Sequence, residues 1–117
     1  DAPAAILSYG QRKLLAIAAS IMAHPRLVVL DEPVAGVNPT MVRHIEEVIR
    51  RINAEGVTLV IVEHNVDFIM NLCRSVVVLE SGRKIAEGPP TVIRSDPRVL
   101  AAYLGTAGAR AMEQTGR

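Results

Sequence analysis

From Ser8 to Ala23 the apolar residues Leu14, Leu15, Ile17, Ala18, Ile21 and Met22 recur at helical spacing, with Ser8 placed to cap the helix and Pro25 to stop it. Leu27 to Leu30 is a short, wholly apolar run between Pro25 and Pro33, the pattern of a strand buried on both faces of a parallel sheet. Pro39 opens a second helix that runs to about Ala54, with Val42, Ile45, Val48, Ile49 and Ile52 on one face and Gly56 as its stop. Val57 to Val62, rich in β-branched residues, reads as a second buried strand. Strand, crossover helix and strand give two parallel neighbours joined by a right-handed connection.

A shorter helix, Val66 to Cys73, precedes a third apolar run, Val76 to Leu79. Ser81-Gly82 then fits a two-residue turn into a strand from Arg83 to Glu87, an antiparallel hairpin. Gly88-Pro89-Pro90 breaks regular structure, two short helical pieces (Thr91 to Arg94, Pro97 to Leu104) follow, and the tail from Gly105 to Arg117 is small and polar. The expected fold class is α/β, with parallel strands, crossover helices, a C-terminal hairpin and terminal helices.

Composition narrows this further. Half of the 117 residues are hydrophobic but only 3% are aromatic, so the core is aliphatic and disorder is excluded. One cysteine, Cys73, excludes an internal disulfide and suits a reducing compartment; it reads as a small core residue. A net charge of +1 gives no electrostatic footprint for nucleic acid. Neither a secretory leader nor an apolar run of membrane-spanning length is visible, so the cytoplasm is the expected location. His24 and His44 read as solvated helix residues. Glu47 and Arg51 are spaced for an ion pair, and Met22, Met41 and Met70 read as core filler.

The chemistry belongs to the sheet edge. Ligands of open parallel sheets bind beyond the carboxyl ends of the strands. Asp31-Glu32 ends the first strand and Glu63-His64 the second, so parallel pairing makes neighbours of two distant clusters. A carboxylate there can hold Mg²⁺ through oxygen, a second can polarise an attacking water, and an imidazole can contact transferring phosphate oxygens. At Leu7-Ser8-Tyr9-Gly10-Gln11 a helix N-terminus favours a phosphate, Ser8 adds a hydroxyl and Gly10 permits close backbone approach; alone, this pattern is also that of an ordinary cap.

In this order and spacing, Leu7-Ser8-Tyr9-Gly10-Gln11, Leu27-Val28-Val29-Leu30-Asp31-Glu32-Pro33, Ala35-Gly36-Val37-Asn38 and His64 resemble the second half of an ABC transporter nucleotide-binding domain, a P-loop NTPase-type fold. The resemblance runs from Leu7 to about Gly105. It implies a signature motif at Ser8, Tyr9, Gly10 and Gln11 that binds nucleotide held by an opposite subunit. It also implies a Walker B strand ending in Asp31 as Mg²⁺ ligand, Glu32 as catalytic base, a D-loop ending at Asn38, and His64 as the switch histidine. ATP and Mg²⁺ are the implied cofactors. The implied partners are a second ATPase subunit in a head-to-tail dimer and membrane permease subunits, which would hold the protein at the inner face of the cell membrane.

The Ser-Tyr-Gly-Gln signature, Glu32-Pro33-Val34-Ala35-Gly36-Val37-Asn38-Pro39, and the ending Asp96 to Gly105 are similar to branched-chain amino acid importer ATPases; lipopolysaccharide-export ATPases share a similar ending. Ala19 stands where members commonly carry Arg, Asn65 where Asp often follows the switch histidine, and Asn38 where the D-loop usually has Asp. No G-x-x-x-x-G-K-[ST] occurs in the sequence, so the loop that cradles phosphates is missing. The expected organisation is therefore signature motif and helix over 1–24, C-terminal half of the ATPase core over 25–88, and C-terminal helical segment and tail over 89–117. A Walker A half is absent, and the isolated chain is expected to be inactive. Two other readings stay open: a non-catalytic interaction module that pairs with a complete ATPase, and a receiver-type domain with Asp31 as its phosphorylated residue.

Overall fold

The structure, a computed structural model, describes residues 7–102. Eight elements follow in order: α1 (Tyr9–Ser20), β1 (Leu27–Asp31), α2 (Pro39–Ala54), β2 (Thr58–Val62), α3 (Val66–Leu72), β3 (Val76–Glu80), β4 (Arg83–Gly88) and α4 (Pro90–Ser95). They fall into two compact units that divide between Leu72 and Cys73.

In the first unit β1 and β2 pair in parallel, with Leu27 opposite Thr58 and Asp31 opposite Val62, as the crossover predicts. Helix α2 is built for one covered face. Asn38 caps it by accepting from Met41 N–H at 2.9 Å, Pro39 opens it, and Gly56 leaves it at φ +100°. Its Ile45, Ile49 and Ile52 pack with Ile17 of α1, Val28 and Leu30 of β1, Val34, and Phe68 of α3. Each such side chain contributes about 1.5–3 kcal/mol over an exposed one. The core is aliphatic around one ring.

The strands are not buried on both faces. Val28 and Leu30 point into the core, while Val29 is 61% exposed and Val60 of β2 is 46% exposed. Among the described residues the helices cover one face of this two-stranded sheet, so residues of period two alternate between core and solvent. Helix α1 also ends earlier than its apolar pattern predicts, at Ser20 with Ile21 as cap. Met22, beyond that end, is 77% exposed and is not core filler, and Leu15 within the helix faces outward at 53%. His24 lies in the turn beyond the helix at φ +51°, exposed, rather than on a helix. On α2 the ion pair is Arg50–Glu46 at 2.8 Å, not Glu47–Arg51, because Arg50 also reaches the Asn71 carbonyl at 2.7 Å.

In the second unit β3 and β4 form the expected antiparallel hairpin, turning through Ser81 and Gly82 with positive φ at both. A bulge lies at Val78/Leu79, and α4 packs on β4 with Ile93 fully buried. Residues 97–102 are helical, begun by Asp96; the expected continuation through Leu104, and Tyr103, Gly105 and the tail, lie outside the described residues. Cys73 is partly buried, which pushes its thiol pKa up and away from nucleophilic reactivity. Among the described residues no helix is long and apolar enough to cross a membrane.

Candidate functional site at the strand ends

Parallel register carries Asp31 and Val62 to the same edge, and the chain continues the ladder one step further: Glu32 N–H donates to the Val62 carbonyl at 2.7 Å. Asp31 falls in the alternation with Leu27 and Val29, on the open face of the sheet. It is exposed, and its carboxylate makes no hydrogen bond or ion pair among the described residues. A free, exposed carboxylate at a strand end is the oxygen donor that a hard divalent cation takes, so Asp31 fits the Mg²⁺ expected there.

Glu32 has φ +48°, a left-handed conformation that costs a non-glycine residue energy and persists only where surroundings enforce it. Three bonds enforce it. Besides the bond to Val62, its carbonyl accepts from Ala35 N–H at 3.3 Å and from Lys13 Nζ at 3.0 Å. The sharp turn swings its carboxylate to His64, whose Nδ1 lies 2.9 Å from Glu32 Oε1. Both side chains are open to solvent, His64 at 69% and Glu32 at 49%. Two residues that the sequence placed on one edge are thus in direct contact.

Glu63 is the group that sequence reasoning placed at the edge but gave no role. Its side chain is 1% exposed. One carboxylate oxygen accepts from Val34 N–H at 3.2 Å; the other accepts from His64 N–H at 3.0 Å and Asn65 N–H at 3.4 Å. With Glu32 and His64 it completes a cluster whose ligand atoms all lie within 4.8 Å of one another. The available signal was a carboxylate directly after an apolar strand, which must find donors or pay heavily for desolvation where it is buried.

Ser8 and Gln11 form a reciprocal capping box: Ser8 Oγ accepts from Gln11 N–H at 3.1 Å, and Gln11 Oε1 from Ser8 N–H at 2.8 Å. The Tyr9 and Gly10 N–H groups remain without intrahelical partners, as at any helix start. Gly10 is buried, and a Cβ there would collide with the Met41 side chain of α2, so its first requirement is helix packing. Tyr9 is 52% exposed and borders Gly36, whose added Cβ would meet the ring at 3.5 Å. Lys13, which sequence reasoning missed, lies 5.3 Å from the Tyr9 ring centroid while holding the Glu32 carbonyl, and so joins α1 to the edge. Asn38, at the end of the loop after Glu32, spends its side-chain oxygen on capping α2.

The profile of the branched-chain amino acid ATP-binding cassette transporter family matches residues 83–109, and an AAA domain profile named for the AbiEii toxin of type IV toxin–antitoxin systems matches residues 1–71. The high-affinity branched-chain amino acid transport ATP-binding protein BraF of Pseudomonas aeruginosa is 39% identical over 105 residues, which cover 89% of this chain and 41% of BraF. The lipopolysaccharide export system ATP-binding protein LptB of Acidithiobacillus ferridurans is 37% identical over 85% of this chain and 41% of its own. The crystal structure of the ADP conformation of an ATP-binding cassette of an ABC transporter superposes with a TM-score of 0.81 at 37% identity, covering 90% of this chain and 43% of that one. The chain spans about two fifths of the length of the curated relatives it matches. By sequence and by fold, a partial P-loop NTPase domain, the chain belongs to the ATP-binding proteins of ABC transporters, and it is similar to those of branched-chain amino acid transport.

Proposed function

We propose that this chain is the hydrolytic half of an ATP-binding subunit that energises import of branched-chain amino acids through membrane permease subunits at the inner face of the cell membrane. The observation that carries the reading is the 2.9 Å contact between His64 Nδ1 and Glu32 Oε1 at an edge where Asp31 stands free. Asp31 holds Mg²⁺, which when bound neutralises phosphate charge. Glu32 orients or deprotonates the attacking water, and its contact with His64 fixes the direction of its carboxylate. The second ring nitrogen of His64 is left to sense the γ-phosphate. Ser8, Tyr9, Gly10 and Gln11, with Asn38, face nucleotide held by a second ATPase subunit in a head-to-tail dimer.

The phosphate-cradling loop is not in this sequence, so the isolated chain is expected to hydrolyse nothing and the activity to belong to a longer protein that supplies it. Replacing Glu32 by Gln in that full-length protein should abolish ATP turnover while ATP binding is retained. Turnover at the wild-type rate would overturn the assignment. A lipopolysaccharide-export role is the second reading, supported by the similarity to LptB. The match of the branched-chain family profile to residues 83–109 favours the amino acid importer, and leucine uptake by the reconstituted transporter separates the two.

A further inference from the structure

Glu63 spans two loops that lie 29 residues apart in sequence. Its Oε2 takes the Val34 N–H at 3.2 Å, at the start of the loop that follows Glu32. Its Oε1 takes the N–H groups of His64 and Asn65 at 3.0 and 3.4 Å, in the loop that carries the histidine. Both ends are themselves anchored. Val34 is 4% exposed within the core and its carbonyl accepts from Val37 N–H at 3.2 Å. Asn65 Oδ1 caps the next helix by accepting from Phe68 N–H at 3.1 Å, and Phe68 is 3% exposed. A carboxylate whose side chain is 1% exposed, with both oxygens engaged by backbone donors, has little freedom to move. His64 Nδ1 lies 3.5 Å from the same Oε1, so the imidazole sits between two carboxylates and leans on the nearer, Glu32.

We propose that Glu63 is a positioning residue for hydrolysis: its carboxylate clasps the loop after Glu32 to the loop of His64 and thereby fixes the Glu32–His64 contact. The inference rests on the hydrolytic role proposed above for that pair. The clasp needs a carboxylate specifically. Glutamine keeps the size, but its amide nitrogen must face a backbone donor at one end, so only one loop stays bound. Aspartate keeps the charge and the bonds to its own loop, but is one methylene too short to hold Val34 as well.

The test uses the full-length protein with Glu63→Gln and Glu63→Asp. Both variants should lose about tenfold in kcat with KM for ATP nearly unchanged, since the clasp acts on the hydrolytic pair and not on nucleotide affinity. Both should also lose the downfield His64 Nδ1–H proton resonance expected from its bond to Glu32, as Glu32→Ala, which removes the acceptor, should. A folded Glu63→Asp protein with wild-type kcat and an unchanged His64 signal overturns the proposal, even if Glu63→Gln does not fold. If the wild-type protein hydrolyses no ATP, the proposed function fails on its own. The His64 signal then decides the clasp alone: its loss in Glu63→Asp supports it, and its persistence overturns it.

Discussion

His64 Nδ1 lies 2.9 Å from Glu32 Oε1 although 32 residues separate them, because parallel pairing ends both strands at one edge and the left-handed turn at Glu32 brings its carboxylate round to the imidazole. Removing the imidazole leaves that carboxylate undirected. His64→Ala in the full-length protein should lower kcat for ATP hydrolysis by about 100-fold or more, in the range seen for lost acid–base partners. Steady-state kinetics on the purified full-length protein checks this, and a loss below threefold contradicts the role proposed for the pair.

Lys13 offers a distinct test, because it touches the same residue through the backbone. Its ammonium holds the Glu32 carbonyl at 3.0 Å and lies over the Tyr9 ring. Lys13→Met keeps the stem and removes the donor. The left-handed turn then rests on its bonds to Val62 and Ala35 alone. Turnover should fall several-fold while thermal stability changes by about 1 kcal/mol or less, the usual worth of an exposed polar contact. Unchanged kcat would separate Lys13 from the site.

Gly10→Ala sets two effects of opposite sign against each other. Helix propensity favours alanine by about 1 kcal/mol. Against it, the new Cβ would collide with Met41, whose own Cβ would lie 3.1 Å away, and overpacking of this kind costs about 1–3 kcal/mol. Net destabilisation is expected, read as a lower Tm. Pairing the change with Met41→Ala should recover part of the loss through a favourable coupling energy.

The edge was legible from sequence because it needs only strand direction: two apolar runs joined by a helix must be parallel, and whatever follows each run must meet. The Ser8 cap and the Ser81-Gly82 turn were legible for the same local reason. What was not legible depends on partners distant in sequence. A period-two count cannot say that only one face of β1 and β2 is covered, so Val29 and Val60 were expected inside. Glu63 looked like one more edge acid, since its donor at Val34 belongs to another loop. Arg50 took Glu46 in place of the Glu47–Arg51 pair because the Asn71 carbonyl of a neighbouring segment drew it there.

Asn38 shows how one side chain can be read twice. The resemblance assigns it to the loop that meets nucleotide, while its oxygen caps α2 through Met41 N–H. The cap predicts that Asn38→Ala costs about 0.5–2 kcal/mol and Asn38→Asp almost nothing. Denaturant unfolding of the two variants checks the cap. Equal losses in both would mean that capping is not what Asn38 contributes.

Asp96 sets a pH dependence at the start of the last described turn. It accepts from Arg98 N–H at 2.8 Å and pairs with the Arg98 guanidinium at 3.0 Å. The Arg98 side-chain hydrogen bond, with its backbone N–H, holds the carboxyl below its ordinary value of 3.8. A carboxyl lowered in the folded state contributes stability that is fully present above its unfolded value and is lost as pH falls through the folded one. The cap over residues 97–102 should therefore persist through mild acid. The Arg98 amide resonance should titrate with a midpoint below 3.8, and Arg98→Gln should raise that midpoint toward 3.8. A midpoint at or above 3.8 in the unsubstituted protein would mean that Arg98 does not hold this carboxylate in solution.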